Sequence, residues 1–224
     1  MPFQSTPEIA AARERMARIG ALLFDRHLTD AAGGNISMLV GDVICFSPRY
    51  AGHKRQWQLK PEEILVVDRQ GNLLDGQGAV SREARVHLRL YHDFGQVGTA
   101  VIHAHPLNMM VFAAMARPMP PVLEANLKFG TVPVIEYAPA HGPQLAENVA
   151  QALAGQEERI KKHAAGVIAP WHGVFVIGKD MDATFDAVER FDTNAYCLLM
   201  ARSFGTDLER ERQALDQAVA RFKE

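Results

Sequence analysis

Cysteine is scarce. The 224-residue chain carries only Cys45 and Cys197, in unrelated surroundings, which excludes a disulfide framework and makes a reducing cytoplasm the expected compartment. Charge of one sign is also lacking: 24 Lys and Arg stand against 26 Asp and Glu, for a formal net charge of −2. Nucleic acids and anionic membrane surfaces are bound through a strong basic excess, so neither is an expected partner. No apolar run approaches the length that spans a bilayer. The opening stretch has no basic start followed by an apolar segment, so no secretory signal is expected. No repeat, low-complexity tract or Ser/Pro/Gly linker interrupts the chain, which reads as a single domain over 1–224. No glycine-rich fingerprint follows the first strand-like run, which argues against dinucleotide-binding and P-loop folds. What is present is ordinary globular composition, 48% hydrophobic and 22% charged. A chain of this size needs neither disulfide nor metal merely to fold.

The element pattern is mixed. Thr6 and Pro7 open a helix striped by Ile9, Met16, Ile19 and Leu23. Strand-like runs follow at 35–40, 43–46 and 64–67, with a polar loop expected from Ser47 to Lys60 and a turn at Gly71-Asn72. Ser81 reads as a helix cap with Glu83 in the first turn, ahead of Val86, Leu90 and Tyr91. A strand from Thr99 to His105 stops at Pro106, and a helix is expected over 107–115. Further strands are expected at 132–137, 166–169 and 174–177, with a helix at 144–153. Two helices close the chain, striped by Phe185, Val188 and Phe191 and by Leu208, Leu215, Val219 and Phe222. Strands and helices do not alternate regularly, which points to a central sheet with helices on its faces.

Three histidines stand out. His103 and His105 are two apart in an apparent strand and therefore share a face near a sheet end. Such a pair can hold a divalent metal or make ordinary hydrogen bonds. His172, followed by Gly173, is the candidate third ligand and equally suits a turn. Glu83 can compensate a helix dipole or, beside a metal, carry a proton. Gly33-Gly34-Asn35-Ile36-Ser37 can present N–H groups to an anion or simply turn into a strand. Arg49 and Arg82 are possible anion partners.

These pieces occur in an order that resembles the class II aldolase/adducin family. The resemblance is carried by Gly34-Asn35-Ile36-Ser37, by Ser81-Arg82-Glu83 with His87 and Tyr91, by Ala100 to His105, and by His172-Gly173. It implies an α/β fold, a mixed, largely antiparallel central sheet flanked by helices in three layers. It implies that His103, His105 and His172 bind zinc, or another divalent metal such as Mn2+, Co2+ or Fe2+, and that Glu83 is the acid/base. The implied activity is that of an aldolase, cleaving or forming a C–C bond in a small ketose or ketose-phosphate through a metal-stabilised enediolate. Family epimerases usually carry Asp where Glu83 stands, which favours carbon–carbon chemistry. Epimerisation, dehydration, decarboxylation and a non-catalytic adducin-like module are the alternatives. The family's second acid/base is a tyrosine from a neighbouring subunit of a homotetramer, and Tyr137 lies in the matching region. Substrate contacts would come from Gly34, Asn35, Ser47, Arg49, Ser81 and Arg82. Where family sugar-phosphate aldolases have a Thr-Pro-Ser/Thr-Gly run, this chain reads Ser47-Pro48-Arg49-Tyr50; where they have paired serines, it reads Ser81-Arg82. Two small phosphate-binding positions have thus become arginine, and the family's aromatic C-terminal tail is not evident.

Overall fold

The computed structural model describes residues 3–205 and 208–221. In chain order the elements are α1 (Pro7–Asp25), β1 (Asn35–Val40), β2 (Val43–Phe46), α2 (Ala51–Arg55), β3 (Leu65–Asp68), β4 (Leu73–Asp75), α3 (Ala84–Phe94), β5 (Ala100–Ala104), α4 (Met109–Ala114), α5 (Pro143–Leu153), α6 (Glu157–Lys162), β6 (Ala164–Ala169), β7 (Gly173–Gly178), α7 (Met181–Ala201) and α8 (Leu208–Ala220). The strands form one sheet in the order β4-β3-β2-β1-β5-β7-β6. Every strand pair in it is antiparallel. The parallel contact is an isolated bridge between Val134 and Ile168.

Strand alternation sets the layers. Ile36, Ala100, Ile102, Ala104, Val174 and Val176 face one side and pack with α1, α4 and α7. Val101, Val167, Phe175 and Ile177 face the other and pack with α3, α5 and α6. Burial on both faces explains why the central strands read as apolar runs rather than as alternating ones. Into the second face falls a polar row, because the register sets Asn35 opposite His103 and His103 opposite Phe175.

Several expectations are corrected. The tract expected as a polar loop from Ser47 to Lys60 contains α2 and buries Trp57 completely. Ser81 does not cap α3, which starts at Ala84; its Oγ accepts from Glu83 N at 3.2 Å in the turn before the helix. The expected strand at 132–137 makes only single bridges, Val132 with Met119 and Val134 with Ile168. β5 ends at Ala104, so His105 lies just past it. On α8, Leu215 and Val219 are half-buried, whereas Phe222 and the Leu208 side chain lie outside the described residues. Thr6 does cap α1, accepting from Ile9 N at 3.4 Å.

Candidate active site

Two strand ends deliver the histidines. Ala104 pairs with Val174, so the chain leaving β5 passes the chain entering β7. β6 and β7 form a hairpin with Ala169 opposite Gly173, and its tip carries Trp171 (φ 58) and His172. Gly173 permits the convergence: a Cβ there would lie 2.6 Å from His105 Cδ2 and 2.7 Å from the Ala104 carbonyl oxygen. One ligand atom from each of His103, His105 and His172 lies within 4.8 Å of the others.

Their tautomers follow from their partners. The His103 Nδ1–H donates to the Val174 carbonyl at 2.9 Å, and the ring stacks on Phe175 with centroids 4.2 Å apart. The His105 Nδ1–H donates to Asp30 Oδ1 at 3.2 Å. Both Nε2 lone pairs are therefore left for another partner, and His105 Nε2 is buried with none. Burial holds the His103 imidazole down at about 3, against the opposing pull of Glu83. Imidazoles fixed through the far nitrogen, with the near nitrogen left over, are what a divalent cation requires. The donor set thus fits a metal with three protein ligands.

Glu83 is buried against these rings. Its Oε1 lies 2.8 Å from His172 Nε2, and its Oε2 lies 3.3 Å from His103 Nε2. Asn35 Nδ2 donates to Oε2 at 2.8 Å and to Ser81 Oγ at 3.2 Å. Burial pushes the Glu83 carboxyl up, but the electrostatic interaction with the adjacent His103 ring, the hydrogen bond from His172 and that from Asn35 outweigh it and hold the group below the usual carboxylate range.

These groups open onto a cavity of about 330 Å³ in which Glu83 is the sole carboxylate among the lining residues. Gly34 (φ 89), Asn35, Ser81, Arg49 and Arg82 line it too. Backbone pairing of Pro48 with Val80, and of Arg49 N with the Ala79 carbonyl at 2.8 Å, carries Arg49 alongside Ser81-Arg82. The structure does not bring in Ser47: its hydroxyl is fully buried and accepts from Ile36 N at 3.0 Å, so it braces β1 instead of meeting a ligand. Tyr137 does not line the cavity of its own chain either. It is exposed and packs on Trp171, with ring centroids 5.4 Å apart.

Sequence reasoning missed His141, which lines the cavity with Nδ1 3.9 Å from Glu83 Oε1. Burial, then the Arg82 charge, lowers its imidazole below the ordinary value. It sits alone in Ala138-Pro139-Ala140-His141-Gly142, with no spacing to the other histidines that would flag it.

The model of the class II aldolase and adducin N-terminal domain matches residues 14–199. An L-fuculose phosphate aldolase of Methanococcus maripaludis is 28% identical over 173 residues, covering 77% of this chain and 87% of that protein. A 3-oxo-tetronate 4-phosphate decarboxylase of Haemophilus influenzae is 26% identical over 195 residues, covering 83% and 85%. The solved structure of an L-fuculose 1-phosphate aldolase superimposes with a TM-score of 0.77 at 24% identity, covering 95% of this chain and 98% of that one, which speaks for the fold. The match spans the sheet, both helical layers and every residue of the histidine–glutamate cluster, and the chain belongs to the class II aldolase and adducin N-terminal domain family.

Proposed function

We propose that this chain is a divalent-metal-dependent aldolase acting on a small hydroxy-carbonyl compound of the ketose or ketose-phosphate class. The observation that carries the reading is the buried Glu83 carboxylate in hydrogen-bond reach of a histidine cluster that fits a cation, at the floor of an open cavity. His103, His105 and His172 would hold the metal, zinc or Mn2+, Co2+ or Fe2+. When bound there, a divalent cation supplies Lewis acidity that polarises a substrate carbonyl. Asn35 holds Glu83 by one oxygen, which leaves the carboxylate oriented to take or return a proton at the carbon next to that carbonyl. Arg49, whose guanidinium lies 5.1 Å from the Tyr50 ring centroid, and Arg82 line the cavity and would clamp an anionic group on the substrate. Tyr137 faces outward and would reach a cavity only as a contribution to a neighbouring copy in a homo-oligomer.

A second reading keeps the site and changes the reaction to decarboxylation. It is favoured by the two arginines, which can hold a carboxylate as readily as a phosphate. Product analysis on ketose phosphates and on hydroxy-keto acids separates the two.

The test of the main reading pairs metal analysis with kinetics. Protein purified without chelator is expected to hold about one divalent ion per chain, and His103→Ala/His105→Ala close to none. Glu83→Gln should keep the metal and lose roughly 10²- to 10⁴-fold in kcat. Equal, negligible metal in wild type and double variant, or normal turnover in Glu83→Gln, refutes it.

A further inference from the structure

The loop before α5 carries into the cavity an imidazole for which neither the metal set nor the proton carrier has a use. His141 has φ 72, a left-handed conformation that a non-glycine residue keeps only where its surroundings impose it. They do so here. Ile135 N donates to the Ile168 carbonyl at 3.0 Å and Ile168 N to the Pro133 carbonyl at 2.8 Å, which pins the preceding segment to β6. Asn148 Nδ2 donates to the Glu136 carbonyl at 3.0 Å, tying that segment to α5. Gly142 N closes a turn on the Pro139 carbonyl at 3.2 Å, and Pro143 starts the helix directly after it.

The ring so placed lines the cavity and is about a third exposed, with Nδ1 3.9 Å from Glu83 Oε1, beyond a direct hydrogen bond, and with the charges of Arg82 and Arg49 acting on it. His172 touches the same Glu83 oxygen from the metal side at 2.8 Å. Glu83 Oε1 is therefore the atom that both a cation-binding ring and His141 approach. Arg49 and Arg82 line the same cavity, so a substrate anchored there by its anionic group would share it with both Glu83 and His141. Tyr137, turned onto Trp171, has no such access within its own chain.

We propose that His141 is a catalytic residue of this site, exchanging a proton with the substrate hydroxyl that aldol condensation creates and aldol cleavage consumes. The proposal rests on the aldolase reading above. In the condensation direction the ionised Glu83 takes a proton from the nucleophilic carbon. The electron pair of that C–H bond forms the new bond to the aldehyde carbon. The aldehyde π pair moves onto its oxygen, which takes a proton from the imidazolium form of His141 and leaves the neutral ring. The proton held by Glu83 then passes to His141 across the 3.9 Å gap, directly or through one water, and both groups are restored. Cleavage runs the same transfers in reverse, with no net gain or loss of protons.

Because Glu83 and His141 act on different atoms, the two half-reactions separate them. Exchange of the dihydroxyacetone phosphate C–H proton in D2O requires Glu83 alone; condensation of that ketone with glycolaldehyde requires both. His141→Ala is expected to retain exchange within about threefold and to lose condensation kcat by roughly 10²-fold. Added imidazole should restore condensation in proportion to its concentration. If His141→Ala fails to fold, as judged by circular dichroism, His141→Gln is put through the same comparison. Exchange and condensation falling together would show that the imidazole only supports Glu83 and would overturn the proposal. So would condensation within threefold of wild type, or a change confined to KM. Wild-type protein inert in both reactions, across ketose phosphates as well, is a different result: it removes the aldolase reading itself, and the role of His141 with it.

Discussion

His105 is positioned by groups on three separate segments. Asp30 takes its Nδ1 proton at 3.2 Å, Gly173 leaves room beside Cδ2, and Gly33 leaves room beside Cε1. A Cβ at Gly33 would stand 2.5 Å from Cε1, closer than any real contact, and what it meets is the end of a side chain that can swing away. Gly33→Ala is therefore expected to displace the ring without unfolding the chain. Apparent affinity for the bound cation should fall about 10- to 100-fold, the usual cost of disturbing what orients a ligand. Competition against a chromophoric chelator measures it, with circular dichroism as the control for folding; wild-type affinity would mean that the ring has slack this geometry does not show. The same residues mark what a sequence can disclose. The His103–His105 spacing predicts a shared face because strand periodicity is local. Asp30 carries no such signal, since its role comes from a contact 75 positions away.

Long-range contacts also explain the misread elements. The Ser47–Lys60 tract is rich in basic residues and reads as solvated, but Trp57 at φ 61 turns inward, where it meets Gly20 on α1. Nothing in the local pattern announces that direction, which is set by the small residue on a distant helix. The segment at 132–137 has strand composition but finds single bridges only, Val134 with Ile168 on the outer edge of β6 and Val132 with Met119 outside the sheet. α4 shows how one such contact steadies the site. It begins just after His105-Pro106, and its exposed N–H groups are met by a side chain from α7: Asp192 Oδ1 accepts from Asn108 N at 2.7 Å and Met109 N at 3.1 Å, while Oδ2 accepts from Asn108 Nδ2 at 2.7 Å. Asp192 is buried, so no water replaces it easily. Asp192→Ala strands those donors and should cost about 2–3 kcal/mol in urea unfolding, since hydrogen bonds to charged groups are the stronger ones. Asp192→Asn keeps acceptor capacity and should recover part of the loss. A cost near zero for Asp192→Ala would mean that α4 finds other caps.

At the scale of the whole molecule, the face of the sheet under α3 is built partly of polar groups, and this makes the fold sensitive to acid. Asn35 and Ser37 are two apart on β1 and meet side chains four apart on α3 and the residue leading into it: Asn35 with Glu83, and Ser37 with His87 and Tyr91. The rise of two strand residues, about 6.6 Å, nearly equals that of four helical residues, about 6 Å, so each rung of the strand finds one on the helix. His87 is fully buried there, with Nδ1 2.6 Å from Ser37 Oγ and no partner for Nε2. Burial first, then the neighbouring His103, whose ring cannot share a second positive charge with it, lowers its imidazole from 6.5 to about 3. The sign of the consequence is fixed by linkage. Between these values the unfolded chain binds a proton that the folded chain refuses, so the stability contributed by neutral His87 is complete above pH 6.5 and drains away as pH falls toward 3. At about 1.4 kcal/mol per pH unit, the loss from pH 7 to pH 5 comes to about 2 kcal/mol from this residue. Urea unfolding of chelator-treated wild type and His87→Gln at both pH values isolates it, because His103 and Glu83 are present in each. The wild type should lose about 2 kcal/mol more than the variant over that interval. Parallel losses in the two proteins would place the acid sensitivity at the histidine–glutamate cluster, and the α3 face would then hold its neutral imidazole at no cost to the fold in acid.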